Sequence, residues 1–99
     1  MECMASGVPV ILSANTGHLD LLQDGTAFAL QKQAHVPGEG RLGWGNSDLE
    51  EMVEALEGVY QNRGAAHARA IQGIGNISRL TWNRQMNYLG DLLLPYLAS

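Results

Sequence analysis

Ninety-nine residues, 45% of them apolar and only 16% charged, are enough for one small domain and too apolar to stay disordered; a net charge of −4, with six scattered lysines and arginines, offers no basic patch and disfavours nucleic acid and anionic membrane surfaces as partners. The single cysteine, Cys3, excludes a disulfide framework within the chain and points to a reducing, cytoplasmic setting. No apolar run reaches the roughly 20 residues that cross a bilayer, and the acidic Met1-Glu2 start lacks the cationic segment of a signal peptide.

In chain order, residues 2–6 are good helix formers, and Gly7 suits the left-handed position that closes a helix. Pro9 prevents the helix from continuing and is tolerated at the first residue of a strand. Val8, Val10, Ile11 and Leu12 follow as a strand apolar enough to be covered on both faces. Ser13-Ala14-Asn15-Thr16-Gly17 is then a loop at the carboxyl end of that strand, where open α/β sheets bind ligands. Residues 18–23 form a short helix capped by Asn15 or Thr16, Asp24-Gly25 a turn, and residues 26–30 a second, short strand.

Residues 31–46 contain Pro37, Gly38, Gly40, Gly43 and Gly45 and predict a loop. Within it, Gly38-Glu39-Gly40-Arg41-Leu42-Gly43 satisfies G-x-G-x-x-G, but no apolar strand leads into it and no helix follows, so it reads as surface loop and not as a dinucleotide site. Ser47 as N-cap with Glu50 three residues on predicts a capping box, and Leu49, Met52, Val53, Leu56 and Tyr60 make one apolar stripe. A weaker helix over 65–77 places Ala66, Ala70, Ile71, Ile74 and Ile77 on a face, with a kink or fraying expected at Gly73 and Gly75, each costing roughly 1 kcal/mol in a helix interior. Thr81 caps the last helix, whose stripe is Trp82, Met86, Leu89, Leu93 and Tyr96, and Pro95 is expected to end it near Leu94.

Glu2-Cys3-Met4-Ala5-Ser6-Gly7-Val8-Pro9-Val10-Ile11 closely resembles, over ten positions without a gap, the E-(A/C)-M-A-(C/S)-G-(V/L)-P-V-(I/V) signature of the group 1 retaining glycosyltransferases. These nucleotide-sugar-dependent enzymes, of GT-B type, face two Rossmann-like domains across a cleft. Asn15-Thr16-Gly17-His18-Leu19-Asp20 is similar to the family's x-G-G-x-x-E turn, with Thr16 in place of the first glycine, and Leu21-Leu22-Gln23-Asp24-Gly25 to its I/L-V-x-D-G. Leu80-Thr81-Trp82 resembles the F-(S/T)-W before its final helix.

The resemblance implies an α/β fold: the second half of a Rossmann-like donor-binding domain, about two short parallel strands plus three to four helices, over residues 1–99, with 31–46 as an inserted loop. It implies that Glu2 is the second of the family's two donor-site glutamates and accepts from the nucleotide's ribose hydroxyls, with Thr16 and Gly17 completing the donor-binding set. The first glutamate and the Gly-rich, phosphate-binding turn would lie upstream of Met1. The expectation is therefore a glycosyltransferase fragment, inactive alone, whose complete enzyme moves a sugar from a nucleoside-diphosphate sugar to an acceptor hydroxyl. The alternative is a non-catalytic, oligomeric interaction module derived from such a domain.

No catalytic residue, metal or cofactor is assigned. His18, His35 and His67 share no metal-ligand spacing with each other or with Cys3, which reads as a small buried hydrophobe. The acidic residues from Asp48 to Glu57 form a solvated helix face, and Trp44 is the one loop aromatic placed to stack on an acceptor sugar. Without further parallel strands, one long edge of the first strand has no partner, so self-association through that open edge is expected.

Overall fold

The turn at Gly7 converts the first helix into the first strand. The computed structural model describes residues 1–23 and 25–97; the turn reading at Asp24 lies outside the described residues. Helix α1 (Glu2–Ala5) closes in a Schellman motif: the Gly7 amide donates to the Met4 carbonyl at 3.1 Å and the Val8 amide to Cys3 at 3.0 Å, with Gly7 at φ +73°. Met4, not Cys3, is the buried side chain of this short helix; Cys3 faces out, which corrects its reading as a buried hydrophobe.

Strand β1 (Ile11–Ser13) pairs in parallel with β2 (Phe28–Leu30), Ile11 opposite Phe28 and Ser13 opposite Leu30, and helix α2 (His18–Leu22) connects them. The ladder continues one bond either way, from the Phe28 amide to the Val10 carbonyl (2.8 Å) and from the Ala14 amide to Leu30 (3.0 Å). The chain is thus α/β, built on a parallel pair with helices around it, as a partial Rossmann-like fold requires. Two strands this short leave β1 half-buried and Val8 exposed, so the expected cover on both faces is not there.

Residues 31–46 are not simply loop. Strands β3 (Gln33–His35) and β4 (Gly45–Ser47) form an antiparallel ribbon, and Gly38, Gly40 and Gly43 take positive φ in the connection between them. Neither strand carries a β-branched or aromatic residue, so propensity did not disclose them; side-chain bonds hold the ribbon in place.

Helix α3 (Leu49–Gln61) is capped by Asp48, whose carboxylate accepts from the Glu51 amide at 3.0 Å. The cap predicted at Ser47 is displaced by one residue because that hydroxyl is engaged elsewhere, with Ser13 Oγ at 2.5 Å and Gln33 Nε2 at 2.8 Å. Glu51 reaches back to the Lys32 amide (3.0 Å). The helix turns Met52, Ala55 and Val59 inward, while Leu49, Val53, Leu56 and Tyr60 of the predicted apolar stripe stay exposed.

Helix α4 (Arg63–Ile77) runs without interruption through both glycines, so neither breaks it. Its buried face is Ala66, Ala70 and Gly73, at i, i+4 and i+7. A Cβ on Gly73 would lie 3.8 Å from Thr26 Cβ and 3.9 Å from Met4 Cε: the glycine taken as a breaker is a contact point. Ile71 and Ile74, assigned to that face, are exposed, because the helix approaches the sheet on its smallest side chains. The small core also contains Met4, Ala27 and Leu30, with Thr26 Oγ1 accepting from Asn76 Nδ2 at 3.3 Å.

After a 3-10 turn at Ser78–Leu80, helix α5 (Trp82–Leu97) begins with Thr81 Oγ1 accepting from the Arg84 amide (3.3 Å). It passes through Pro95 to Leu97 and does not end near Leu94. A proline in the last turn forfeits only the bond to the Asp91 carbonyl, and little helix remains to be misdirected. The stripe of α5 is exposed along its length. The radius of gyration, 17.0 Å, exceeds the roughly 13 Å of a compact chain of this size. The accessible surface, 7296 Å², exceeds the about 5,500 Å² of a compact monomer of the same mass.

Candidate functional site

Two neighbourhoods carry the residues singled out from the sequence. The first surrounds Glu2. Its side chain is fully exposed, 3.6 Å from the Met1 ammonium. A hydrogen bond from its own backbone amide, and then that ammonium, hold its carboxyl below the ordinary carboxylate range. Glu2 stands on the rim of a cavity of about 410 Å³ lined by Ala5, Ile74, Ile77 and Leu80, with Ser78 and Thr81 supplying hydroxyls. An ionised carboxylate beside an apolar recess can accept from two vicinal hydroxyls while a flat ring is buried next to it.

The second lies at the carboxyl end of the β1–β2 pair, the position that open α/β sheets use for ligands. Thr16 takes φ +44°, the only positive value on a non-glycine among the described residues, at the position where the resembling turn carries glycine. Neither expected side-chain cap forms on α2: Gly17 occupies the N-cap, and the Asn15 amide group is committed to Gln33 Oε1 (2.8 Å) and the Gly45 carbonyl (3.3 Å). Thr16 Oγ1 donates sideways to Asn15 Oδ1 (3.0 Å). Gln33 Nε2 bonds the Leu30 carbonyl and Ser47 Oγ, both at 2.8 Å. With Nδ1 protonated, His18 donates to the Ser13 carbonyl at 3.3 Å. Ser13, Asn15, Gln33 and Ser47 thus lace the β3–β4 ribbon to the loop after β1.

Above this network is an open depression of about 630 Å³ whose lining includes Thr16, Leu19, His35 and Trp44. A Cβ on Gly17 would have nothing within 4 Å, so its backbone is open to approach. Glu2 and Thr16 line different depressions, and Gly17 lines neither. The network around Asn15 and Gln33 went unread in the sequence, where the only signal was a run of short polar residues on either side of a glycine-rich stretch. Among the described residues, no three His, Cys, Asp or Glu side chains gather where a metal could sit, and no helix is long and apolar enough to cross a membrane.

No curated protein and no solved structure matches the chain. The model of the family described as "Family 4 Glycosyltransferase in conflict systems" matches residues 1–89, which include both neighbourhoods and run into the last helix. With so much of its length matched, the chain belongs to the family 4 glycosyltransferases of conflict systems.

Proposed function

We propose that the chain is the C-terminal, donor-binding part of a retaining GT-B glycosyltransferase of the group 1 kind, serving sugar transfer in a conflict system. The observation that carries this is Glu2: an ionised, exposed carboxylate at the start of the family signature, on the rim of an apolar recess. In this reading the nucleobase packs against Ile74, Ile77 and Leu80 while Glu2 accepts from the ribose hydroxyls. Thr16 and Gly17 meet the sugar end of the donor through exposed backbone. In the complete reaction the bond from the anomeric carbon to the diphosphate breaks and one to an acceptor hydroxyl oxygen forms on the same face. The acceptor's proton passes to the departing nucleoside diphosphate.

Further parallel strands would add to the edge of β1 that β2 does not occupy, and residues 31–46 are an insertion on the donor side. The chain on its own transfers no sugar. Its partner is the nucleoside-diphosphate sugar, without nucleic acid, in the cytoplasm.

The test is an amide-shift NMR titration of the labelled chain with a panel of nucleoside diphosphates. Shifts are expected at Glu2, Ala5, Ile74 and Ile77, with dissociation constants weaker than about 1 mM, and Glu2→Ala should remove them. No response to any nucleotide, or a response that survives Glu2→Ala, overturns the assignment.

A further inference from the structure

The connection between β3 and β4 carries an aromatic residue that donor binding leaves unused. Trp44 lines the open depression of about 630 Å³ beside the loop after β1, and its side chain is about half exposed. Its backbone is held on both sides. Gly43, just before it, takes φ +84°, and the Trp44 amide donates to the Arg41 carbonyl at 3.0 Å. Just after it, a Cβ on Gly45 would stand 2.6 Å from Gln33 Oε1, so the chain there lies directly against Gln33. Asn15 Nδ2 donates to the Gly45 carbonyl at 3.3 Å. The indole is therefore carried by a backbone fixed to the same two residues that lace the ribbon to the sheet.

The chemistry of the lining selects a class of ligand. No Lys, Arg, Asp or Glu lines the depression, and Arg41, the basic residue of the same connection, donates back to the Pro37 carbonyl at 3.3 Å. A diphosphate or a charged peptide would find no counter-charge there. The lining offers instead an apolar surface, from Leu19, Leu42 and Trp44, beside groups that match hydroxyls. The indole Nε1 is a donor. The Thr16 hydroxyl keeps its lone pairs after donating to Asn15 Oδ1, and the His35 ring makes no hydrogen bond among the described residues. A pyranose ring has the complementary build: C–H groups on a face that can lie on an aromatic plane, and hydroxyls around its edge that both donate and accept. The volume falls within the roughly 300–1,000 Å³ of small-molecule sites.

We propose that this depression is a carbohydrate subsite in which an uncharged pyranose ring of the acceptor stacks on Trp44. That the ring belongs to the acceptor rests on the donor reading above; that a sugar binds here does not. The recess beside Glu2 is a separate one, and the uncharged lining here suits no diphosphate. Thr16, set by that reading at the sugar end of the donor, lines the same depression as Trp44. A donor sugar at Thr16 and an acceptor ring on Trp44 would thus share one basin, as transfer between them requires. The ribbon gains a task from this: it carries the platform on which the acceptor is presented.

The test uses the full chain with the exposed Trp82 changed to phenylalanine, Trp82→Phe, which leaves Trp44 as its one tryptophan. Fluorescence and amide shifts are followed during titration with the methyl glycosides of glucose, galactose, mannose and N-acetylglucosamine. At least one should change the Trp44 emission and shift the Thr16, His35 and Trp44 signals, with a dissociation constant of about 1–10 mM. Trp44→Ala, read by amide shifts, should weaken binding at least about tenfold, and Trp44→Tyr should restore it to within about threefold. Far-UV circular dichroism checks that each variant keeps its fold. Nucleoside diphosphates, titrated separately, report on Glu2. A glycoside response at Trp44 with no nucleotide response at Glu2 upholds the subsite and overturns the donor assignment. Nucleotide sugars that shift Trp44 where no glycoside does would make this the donor's sugar site and overturn the proposal. Silence toward all four glycosides, or a response that survives Trp44→Ala, overturns it as well.

Discussion

Gly7 joins the signature helix to the sheet, and replacing it with alanine separates two costs that a glycine can hide. At φ +73°, a residue with a Cβ suffers about 1–2 kcal/mol of left-handed strain, offset by about 0.4–1 kcal/mol from a stiffer unfolded chain. The new Cβ would also stand 3.1 Å from Ile74 Cδ1, so that methyl must move by a few tenths of an ångström. Rotating the half-open Ile74 side chain away costs about 0.5–1.5 kcal/mol. Gly7→Ala should therefore destabilise by about 1–2 kcal/mol. Gly25→Ala meets a similar φ, +68°, with nothing within 4 Å of its Cβ, and carries the backbone cost alone. Urea unfolding followed by circular dichroism measures both, and each kcal/mol is worth roughly 4–8 °C in melting temperature for a chain of this size. Trimming Ile74 to valine in the Gly7→Ala background should close the gap to Gly25→Ala, after correction for Ile74→Val alone. The reasoning fails if Gly7→Ala is no worse than Gly25→Ala, or if the trimming recovers nothing.

Gly73→Ala should go the other way: its φ is ordinary, its Cβ would make plain van der Waals contact with Thr26 and Met4, and helix propensity favours alanine by about 1 kcal/mol; an unchanged or lowered urea midpoint would contradict the close packing described for α4. Thr16→Gly should shift the urea-derived stability by less than about 1 kcal/mol, because the strain relieved is offset by the exposed Asn15 bond lost and by a looser unfolded chain, and a larger loss would contradict strain at φ +44°. Asp48→Ala should cost about 1 kcal/mol and speed amide exchange in the first turn of α3, whereas Ser47→Ala should speed exchange in the β3–β4 ribbon and leave the α3 amides protected. The Glu2 carboxyl, depressed in the folded chain, contributes stability that is present above its unfolded value and fades as pH falls through the folded one; carbon-detected NMR titration should find it ionised to lower pH than the other exposed glutamates, and N-terminal acetylation should move it upward.

The α1–β1 junction was legible because every local signal agrees there: helix formers, a glycine needing positive φ, a proline, then apolar residues. The family resemblance carried by the same stretch implied two short parallel strands, and the structure supplies their register, residues 11–13 against 28–30. The face of α4 was legible in part: Ala66 and Ala70 were placed on it, but Ile71 and Ile74 were set there in place of Gly73, since a pattern search weights isoleucine over glycine, while close approach to a sheet favours the smallest side chains. The β3–β4 ribbon was not legible, since its stability resides in Asn15, Gln33 and Ser47 bonding across long stretches of chain. The cap of α3 moved by one residue for the same reason, because Ser47 was already engaged by that network. The apolar stripes on α3 and α5 were legible as periodic, but periodicity says which side chains share a side of a helix, not what lies against it. At the candidate site, Glu2 and Thr16 were named from motif alone, and only the folded chain shows that they border separate recesses.

The lacing between the loop after β1 and the ribbon has a mechanical consequence. Ser47 bonds Ser13 with one atom while its neighbour Asp48 anchors the first turn of α3. Whatever displaces the Asn15–Gly17 loop must therefore tug on the root of a thirteen-residue rod whose greasy outer flank meets water. Events at one end of the little sheet are geared to the orientation of a surface far along the chain.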